Sequence, residues 1–183
     1  MAFIFQKTEI AEVVIIESNL RRDNRGFFTE NYRHSDFEAA GIEKRLVQLN
    51  HSFSEKNVIR GLHFQRKPLE QGKLVSVTSG KIMDVAVDIR VGSETFKKWV
   101  SVILSGENCS SIWIPEGFAH GFLALEDSHV IYLTTNEYSP KFDSGIRWND
   151  PDISINWIIE SPIVSEKDRG LKSLRELIEE GAL

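Results

Sequence analysis

Residues 58–90 place titratable and cationic side chains between short apolar runs. Arg60 and His63 end one such run, and Lys73 begins the next. An imidazole can take a proton from carbon, and a lysine ammonium can stabilise the negative charge that then develops on a neighbouring oxygen. The stretch therefore contains the residue types of a proton-transfer site, although a histidine between Leu62 and Phe64 is more often a packed structural residue.

A second histidine lies in a segment rich in proline and glycine, residues 115–121, which predicts a rigid turn around His120. Together with His63, this segment resembles the two-motif pattern of the cupin superfamily, in which two histidines of the first motif and one of the second bind a divalent metal. Here Gln65 stands where the second histidine is expected, and an amide is a poor ligand for a transition metal. Glu70 adds only a distant carboxylate. We therefore expect a cupin-like barrel that binds no divalent metal at these positions.

Three further residues could belong to a catalytic or binding site, but each also has an ordinary structural explanation. Tyr132 lies in an alternating apolar run, where tyrosine is common because it packs well. Asp168 ends the sequence Ser-Glu-Lys-Asp, residues 165–168, which is itself a capping-box pattern before a helix. Arg25 belongs to a basic, turn-rich segment, residues 21–26, which would usually be an exposed loop.

The elements that must position these residues are mostly strands. From residue 58 to about residue 136, short runs with a period of two are separated by turn signals, which favours an antiparallel sandwich or barrel. In residues 82–90 the apolar side chains share one face, while Asp84, Ala86 and Asp88 share the other. Two short helices are expected, one beginning at a Ser35–Glu38 capping box and one amphipathic helix near the C-terminus.

Length and composition indicate one domain over residues 1–183, of the mainly β class. The net charge of −5 argues against a general nucleic-acid partner, which requires a basic face. The single cysteine, Cys109, cannot form an internal disulfide, and there is neither a leader-like N-terminus nor an apolar run of the ~20 residues that a membrane span needs. A cytoplasmic protein without a membrane partner is expected.

Several motifs occur in an order that is more specific than any one of them. These are Arg-Gly-Phe-Phe at 25–28, Gln-Leu-Asn at 48–50, Arg-Gly-Leu-His-Phe-Gln at 60–65, Gln-Gly-Lys at 71–73, residues 84–90, residues 114–123, Gly-Ile-Arg-Trp at 145–148, and residues 165–168. Their sequence closely resembles that of the dTDP-4-dehydrorhamnose 3,5-epimerase family. The resemblance implies a cupin jelly roll with short peripheral helices, and a homodimer that exchanges N-terminal strands. It also implies an enzyme with no metal or organic cofactor.

The resemblance further implies an isomerase in dTDP-L-rhamnose synthesis. Its substrate is a dTDP-4-keto-6-deoxysugar, dTDP-4-dehydro-6-deoxy-D-glucose, which is epimerised at carbons 3 and 5. The ketone acidifies the protons on both neighbouring carbons because the resulting carbanion is an enolate. By resemblance, His63 is the base, Asp168 orients it, Tyr132 returns a proton from the opposite face, and Lys73 stabilises the enolate oxygen. Asp84 is expected to orient Lys73.

Residues for the rest of the substrate are also implied by the resemblance. The diphosphate would be bound by guanidinium and ammonium groups, the nucleotide by polar strand positions, and thymine by an aromatic ring, either Phe27 or Tyr138. Asp143 stands where many relatives carry a glutamate. The implied substrate-binding residues are Arg25, Glu30, Gln48, Asn50, Arg60, His120, Asp143 and Lys167.

Three alternatives remain open at this point. Relatives that invert only carbon 3 or only carbon 5 would keep the histidine and the aspartate but differ in the tyrosine and in pocket shape. A metal-dependent cupin enzyme would use His63 and His120 as ligands. A non-catalytic sugar-nucleotide-binding barrel would leave Asp168 away from His63, with only a role at the helix start.

Overall fold

Two antiparallel sheets pack against each other in the computed structural model, which describes residues 2–183. The six strands of the first sheet are, in spatial order, β1 (Phe3–Lys7), β2 (Val14–Ser18), β10 (Ser110–Ile114), β7 (Lys73–Ser79), β12 (Ser128–Thr134) and β5 (Gln48–Ser54). The second sheet has, in spatial order, β13 (Asp143–Gly145), β6 (Val58–Gln65), β11 (Phe118–Ala124), β8 (Lys81–Asp88) and β9 (Trp99–Ser105). The prediction of a mainly β, antiparallel fold is confirmed.

The remaining elements are short and lie at the periphery. β14 (Ile163–Val164) pairs with β6 and runs parallel to it, and β3 (Arg21–Asp23) forms a separate hairpin with β4 (Gly26–Phe28). The helices are α1 (His34–Ala39), α2 (Glu166–Arg169) and α3 (Leu174–Glu179). Within residues 2–183, no helix has the length and apolar character needed to cross a membrane.

Strand β8 has two buried faces, and each packs against a different layer. Met83, Val85 and Val87 belong to a cluster that the C-terminal segment covers with Trp157 and Leu174. On the other face, Ala86 packs between the two sheets, in a cluster that also contains Val75 of β7 and Val130 of β12. The predicted alternation of this strand is confirmed, and it leaves Asp84 facing the space between the sheets.

The N-terminal helix differs from its predicted start. α1 begins at His34, and the residue before it, Arg33, has extended backbone angles and makes no side-chain capping bond. Ser35 is inside the helix and caps nothing. The helix is held instead by Phe37, which is fully buried and makes an edge contact with the ring of Phe3 at 5.3 Å. Tertiary packing therefore outweighs the local capping signal.

Two predicted loops prove to be strand, and the last helix is shorter than expected. Four of the six residues of the basic segment at 21–26 pair in the β3–β4 hairpin. β11 begins at Phe118, so His120 lies in a strand and not in a turn. In both segments the backbone N–H and C=O groups bond to a neighbouring strand, although the glycine and proline residues nearby predict turns. α3 begins after a capping box formed by Ser173 and Glu176, which excludes Leu171.

Candidate active site

A polar cavity of about 420 Å³ opens between the two sheets, next to the apolar cluster that fills the rest of that space. Strands of both sheets contribute to its walls. The expected site residues that line it are Gln48, Asn50, Arg60, His63, Lys73, His120, Tyr132, Asp143 and Lys167. The fold thus brings together most of the residues implied by the sequence motifs, from positions distant along the chain.

His63 and Asp168 are in direct contact at the edge of this cavity. The Nε2 atom of His63 lies 2.8 Å from Oδ1 of Asp168, and the second carboxylate oxygen accepts a hydrogen bond from the Gly61 backbone N–H at 3.1 Å. Burial would raise the pKa of Asp168, but the hydrogen bonds from His63 and Gly61 outweigh it and hold the pKa below its usual value. A carboxylate at Nε2 fixes the imidazole ring and leaves Nδ1 as the proton acceptor.

The helix-capping explanation of Asp168 is also correct, and it does not compete with the contact to His63. Ser165 caps α2 by accepting a hydrogen bond from the backbone N–H of Asp168. The cap by Ser165 positions the backbone of Asp168, and its side chain does not close a capping box but reaches His63 in β6. The arrangement expected of a non-catalytic barrel, with Asp168 away from His63, is therefore not found.

Two glycines bring β6 and β11 close enough to place both histidines on one wall. His63 and His120 are cross-strand partners. A Cβ at Gly61 would lie 2.6 Å from the Cα of Gly121, and Gly61 has a φ of +128°, which disfavours other residues. Glycine is therefore needed at position 61 for both conformation and space.

Lys73 is a buried cation on the opposite sheet. Its Nζ atom donates a hydrogen bond to the backbone carbonyl of His63 at 3.1 Å. Burial lowers the pKa of Lys73 to about 8, although the charges of Asp84 and Asp143 oppose the fall. An ammonium with few protein partners in a cavity can stabilise a developing oxyanion.

Tyr132 also projects from the first sheet, where it pairs with Asn50 on β5. Burial raises the pKa of its hydroxyl, an effect that Arg60 opposes and Asp143 reinforces. A neutral phenol is the form that can donate a proton. His63 and Tyr132 therefore approach the cavity from different sheets.

His120 has a carboxylate partner of its own, which the sequence analysis assigned differently. Its Nε2 atom lies 2.8 Å from Oδ2 of Asp84, and Asp84 has no exposed surface. We expected Asp84 to orient Lys73, and this was wrong, since its hydrogen bond is to His120. Burial lowers the pKa of His120 despite the opposing charge of Asp84.

The rim of the cavity carries a second set of polar contacts. Lys167 donates to Asp143 at 2.6 Å, and this hydrogen bond raises the pKa of Lys167. Tyr138 also donates to Asp143, at 3.2 Å, and its backbone N–H binds the side chain of Gln48. Arg60 is held by Ser54 and by the Phe53 carbonyl, which orients its guanidinium without neutralising its charge.

Two expected site residues lie outside this cavity. Arg25 is on the β3–β4 hairpin, paired with Asp23, and its side chain is 86% exposed. Glu30 is paired with Arg33 and lines a separate depression with Phe28. Neither residue lines the cavity described above.

Gln65 has a structural role in place of the metal-binding one that its motif position suggests. Its amide nitrogen donates to the carbonyls of Leu69 and Glu137, and its oxygen accepts from the Ser139 backbone N–H. It thereby ties two loops to the end of β6. Residues 2–183 contain no cluster of three or more His, Cys, Asp or Glu side chains with the arrangement of a metal site.

Sequence reasoning missed several residues of the cavity wall. Ser52 and Phe122 line it, as do Phe64, Gln65 and Gln71. Ser52 follows Gln48 and Asn50 at a spacing of two, and Phe122 follows His120 at the same spacing. Strand alternation from a known site residue could have found both.

Comparison with known proteins identifies a family over almost the whole chain. The sequence model of the dTDP-4-dehydrorhamnose 3,5-epimerase family matches residues 7–176. The chain belongs to this family. The dTDP-4-dehydrorhamnose 3,5-epimerase of Methanothermobacter thermautotrophicus is 51% identical over 179 residues, which cover 95% of this chain and 96% of the relative.

Solved structures of similar proteins include double and single epimerases. A dTDP-6-deoxy-D-glucose-3,5-epimerase from Legionella pneumophila, in complex with dTDP-4-keto-L-rhamnose, has a TM-score of 0.94 and 45% identity, covering 99% of this chain and 97% of that one. A 3'-monoepimerase from Streptomyces bikiniensis, in complex with dTDP-quinovose, has a TM-score of 0.91 and 29% identity, covering 97% and 91%. The same fold therefore occurs in an enzyme that inverts two carbons and in one that inverts a single carbon. Of these two proteins, the double epimerase is more similar in sequence to this chain.

Proposed function

We propose that this protein converts dTDP-4-dehydro-6-deoxy-D-glucose to dTDP-4-dehydro-L-rhamnose by inverting carbons 3 and 5. Membership in the dTDP-4-dehydrorhamnose 3,5-epimerase family supports the reaction class. The observation that carries the mechanism is the pair His63–Asp168 on one wall, with Tyr132 and Lys73 projecting from the other sheet.

Opposed walls are what an inversion requires. A proton must leave one face of the sugar ring and another must arrive on the opposite face. In our proposal Nδ1 of His63 removes the proton from the carbon next to the ketone, while the carboxylate of Asp168 stabilises the imidazolium that forms. Tyr132 then delivers a proton from the opposite wall.

The intermediate is an enolate, so the ketone oxygen carries negative charge between the two proton transfers. We assign Lys73 to this oxygen, because its ammonium is buried in the cavity and, within residues 2–183, donates a single hydrogen bond, to the His63 carbonyl. Loss of such a contact typically costs ~10²–10³ in rate.

The nucleotide half of the substrate is assigned to the rim. Arg60 and Lys167 would bind the diphosphate, and Gln48 and Asn50 would meet the nucleoside, with Asp143 holding Lys167 in place. Tyr138 is better placed than Phe27 to stack on thymine, since Tyr138 lines this cavity and Phe27 does not.

We further propose a homodimer in which Arg25 and Glu30 complete the site of the neighbouring subunit. This proposal rests on their position outside the lining of their own chain's cavity and on the exposed hairpin that carries Arg25, where Phe27 and Phe28 are 51% and 62% exposed. A cytoplasmic location, expected for an enzyme that uses a nucleotide-linked sugar, is part of the same proposal.

Proton exchange in deuterated water tests the mechanism. NMR of dTDP-4-dehydro-6-deoxy-D-glucose should show deuterium entering both carbon 3 and carbon 5 with the wild-type protein. His63→Ala should abolish the exchange, while His51→Ala, which changes an exposed histidine outside the cavity, should retain it. Exchange at only one carbon would instead identify a mono-epimerase, and wild-type exchange by His63→Ala would exclude His63 as the base.

Tyr132→Phe separates the two proton transfers in the same assay. Abstraction by His63 does not need the phenol, so the variant should still exchange substrate protons with solvent. The configuration at the exchanging carbons should be inverted at least ~10-fold less often. Equal loss of exchange and inversion would argue against Tyr132 as the donor.

A further inference from the structure

Two histidines outside the cavity form a close pair on the outer face of the first sheet. His51 lies in β5 and His129 in β12, and these two strands run antiparallel with an unbroken register. Side chains alternate along a strand, so His51 points away from the cavity that Asn50 lines, and His129 points away from the core that contains Val130. Neither histidine has a role in the proposed reaction.

The two imidazole rings are held with one nitrogen of each facing the other. Nε2 of His51 lies 3.0 Å from Nδ1 of His129. Phe53 pairs with His129 across the strands, and the centroids of their rings are 5.0 Å apart. His63 and His120 each bind a buried carboxylate, whereas in residues 2–183 the facing nitrogens of this pair bind only each other. His51 is exposed and His129 is half-buried, so solvent reaches the pair.

The distance between these nitrogens is that of two neighbouring ligands of one metal ion. Imidazole nitrogens bind transition metals at about 2.0–2.1 Å, so two of them at right angles around one ion lie ~3.0 Å apart. Right angles are the preferred arrangement for Cu²⁺ and Ni²⁺, while tetrahedral Zn²⁺ would need a separation of ~3.4 Å. Mg²⁺ and Ca²⁺ prefer oxygen ligands. The chemistry of the pair therefore selects Cu²⁺ or Ni²⁺.

We propose that His51 and His129 form a two-histidine chelate for Cu²⁺ or Ni²⁺. In the free protein the facing nitrogens share one proton, because one must donate and the other accept. The ion takes the place of this proton, which moves to the outward nitrogen of the same ring, so both rings stay neutral and no proton is released. The exposure of the rings allows them to turn both lone pairs toward one point in solvent.

The proposed site has two protein ligands and joins the edge strand β5 to β12. Within residues 2–183 no third His, Cys, Asp or Glu completes a cluster with the pair, so water fills the remaining positions around the ion. The site differs from that of a metal-dependent cupin, which would use His63 and His120. It is also independent of the proposed function, because the ion takes no part in the epimerisation.

Calorimetric titration of the untagged protein with NiCl₂ tests the chelate. We expect one Ni²⁺ bound per chain, and no binding of Mg²⁺ under the same conditions. His51→Ala and His129→Ala each remove one of two ligands, so each should weaken Ni²⁺ binding ~10-fold or more. His34→Ala is the matched control, since His34 contacts Tyr32 and belongs to neither the pair nor the cavity. Wild-type affinity in either His51→Ala or His129→Ala would overturn the proposal.

NMR locates the ion in the wild-type protein without any substitution. Ni²⁺ with imidazole and water ligands is paramagnetic, so a small amount should broaden the ring signals of His51 and His129 while those of His63 and His120 stay sharp. Broadening centred on the two cavity histidines would overturn the proposal. So would loss of Ni²⁺ binding in His63→Ala together with its retention in His51→Ala, which would place the ion in the cavity.

Discussion

At the scale of single residues, Lys73 shows how the candidate site opposes stability. An ammonium in a cavity loses most of its hydration, and here one hydrogen bond to a carbonyl replaces it. Its folded pKa of about 8 lies below the ~10.4 of an unfolded lysine, so folding releases protons between these values. Stability therefore rises as pH increases from about 8 to 10, and the full penalty, about 3 kcal/mol, is present below pH 8.

Lys73→Met should accordingly stabilise the protein while it inactivates the enzyme. At pH 7 we expect the free energy of unfolding to rise by about 1–3 kcal/mol, and kcat to fall by ~10²–10³. Urea unfolding at pH 7 and pH 10 measures the first effect, which should shrink at pH 10. Lys81→Met, at a half-exposed lysine paired with Glu126, is the control and should show no such pH dependence. A difference that is constant with pH would mean that Lys73 is not buried as a cation.

The same titration predicts a pH limit for the wild-type enzyme. If the proton on Lys73 is required, exchange of substrate protons should decline as pH rises through about 8. The rate measured between pH 6 and pH 10 checks this. A rate that stays constant between pH 8 and pH 10 would contradict a required proton on Lys73.

At the scale of elements, the site depends on how closely β6 and β11 approach. Each strand contributes a histidine to the same wall, and each contains a glycine at the point of closest approach, Gly61 in β6 and Gly121 in β11. β6 also provides the backbone N–H of Gly61, which holds one oxygen of Asp168 while His63 holds the other. One segment of strand therefore positions the base and its orienting carboxylate together.

Gly61→Ala should separate these strands. Its Cβ would lie 2.6 Å from the Cα of Gly121, and its φ of +128° adds strain. We expect a loss of about 3 kcal/mol or more in the free energy of unfolding. Gly26→Ala is a matched control, because Gly26 has a φ of +129° but nothing within 4 Å of the added carbon. It should cost only about 1–2 kcal/mol, and equal losses measured by urea denaturation would contradict the close-approach argument.

At the scale of the whole molecule, the residues assigned to the sugar lie together, whereas two of the residues assigned to the nucleotide half of the substrate lie elsewhere on the chain. The groups assigned to the sugar lie in one cavity, whereas Arg25 and Glu30 lie outside it. An exposed hairpin with two phenylalanines is a surface that a second copy of the chain would cover. The homodimer and the extent of the single domain stay predictions.

Mixing an inactive variant with one that binds substrate weakly, and assaying at a substrate concentration below its KM, tests the proposed exchange between subunits. His63→Ala loses the base, and Arg25→Ala should raise KM for the nucleotide-linked sugar by ~10-fold or more. If Arg25 acts in the neighbouring subunit, a heterodimer of the two variants contains one fully intact site. Activity after co-refolding should then exceed that of either variant alone. No recovery in confirmed heterodimers would place Arg25 in its own chain or outside the site.

The sequence predicted much of the fold because its signals are local. Alternating apolar residues in β8 define two faces whatever the rest of the chain does, and this alternation is confirmed, although the burial of the face with Asp84, Ala86 and Asp88 was not predicted. Local signals failed where packing outweighs them: Ser35 does not cap α1, which Phe37 holds in place. His120 likewise lies in a strand, because its neighbours in β6 and β8 satisfy the backbone that glycine and proline suggested was a turn.

The residue types of the site were determined by the sequence itself, and their partnerships by the tertiary structure. Motif order along the chain identified His63, Lys73, Tyr132 and Asp168 through resemblance to a family. Only the packing of the two sheets brings His63 to Asp168, 105 residues later, and Asp84 to His120. Hydrogen bonds act over about 3 Å, so no spacing along the chain can specify which carboxylate meets which histidine until the strands are in register.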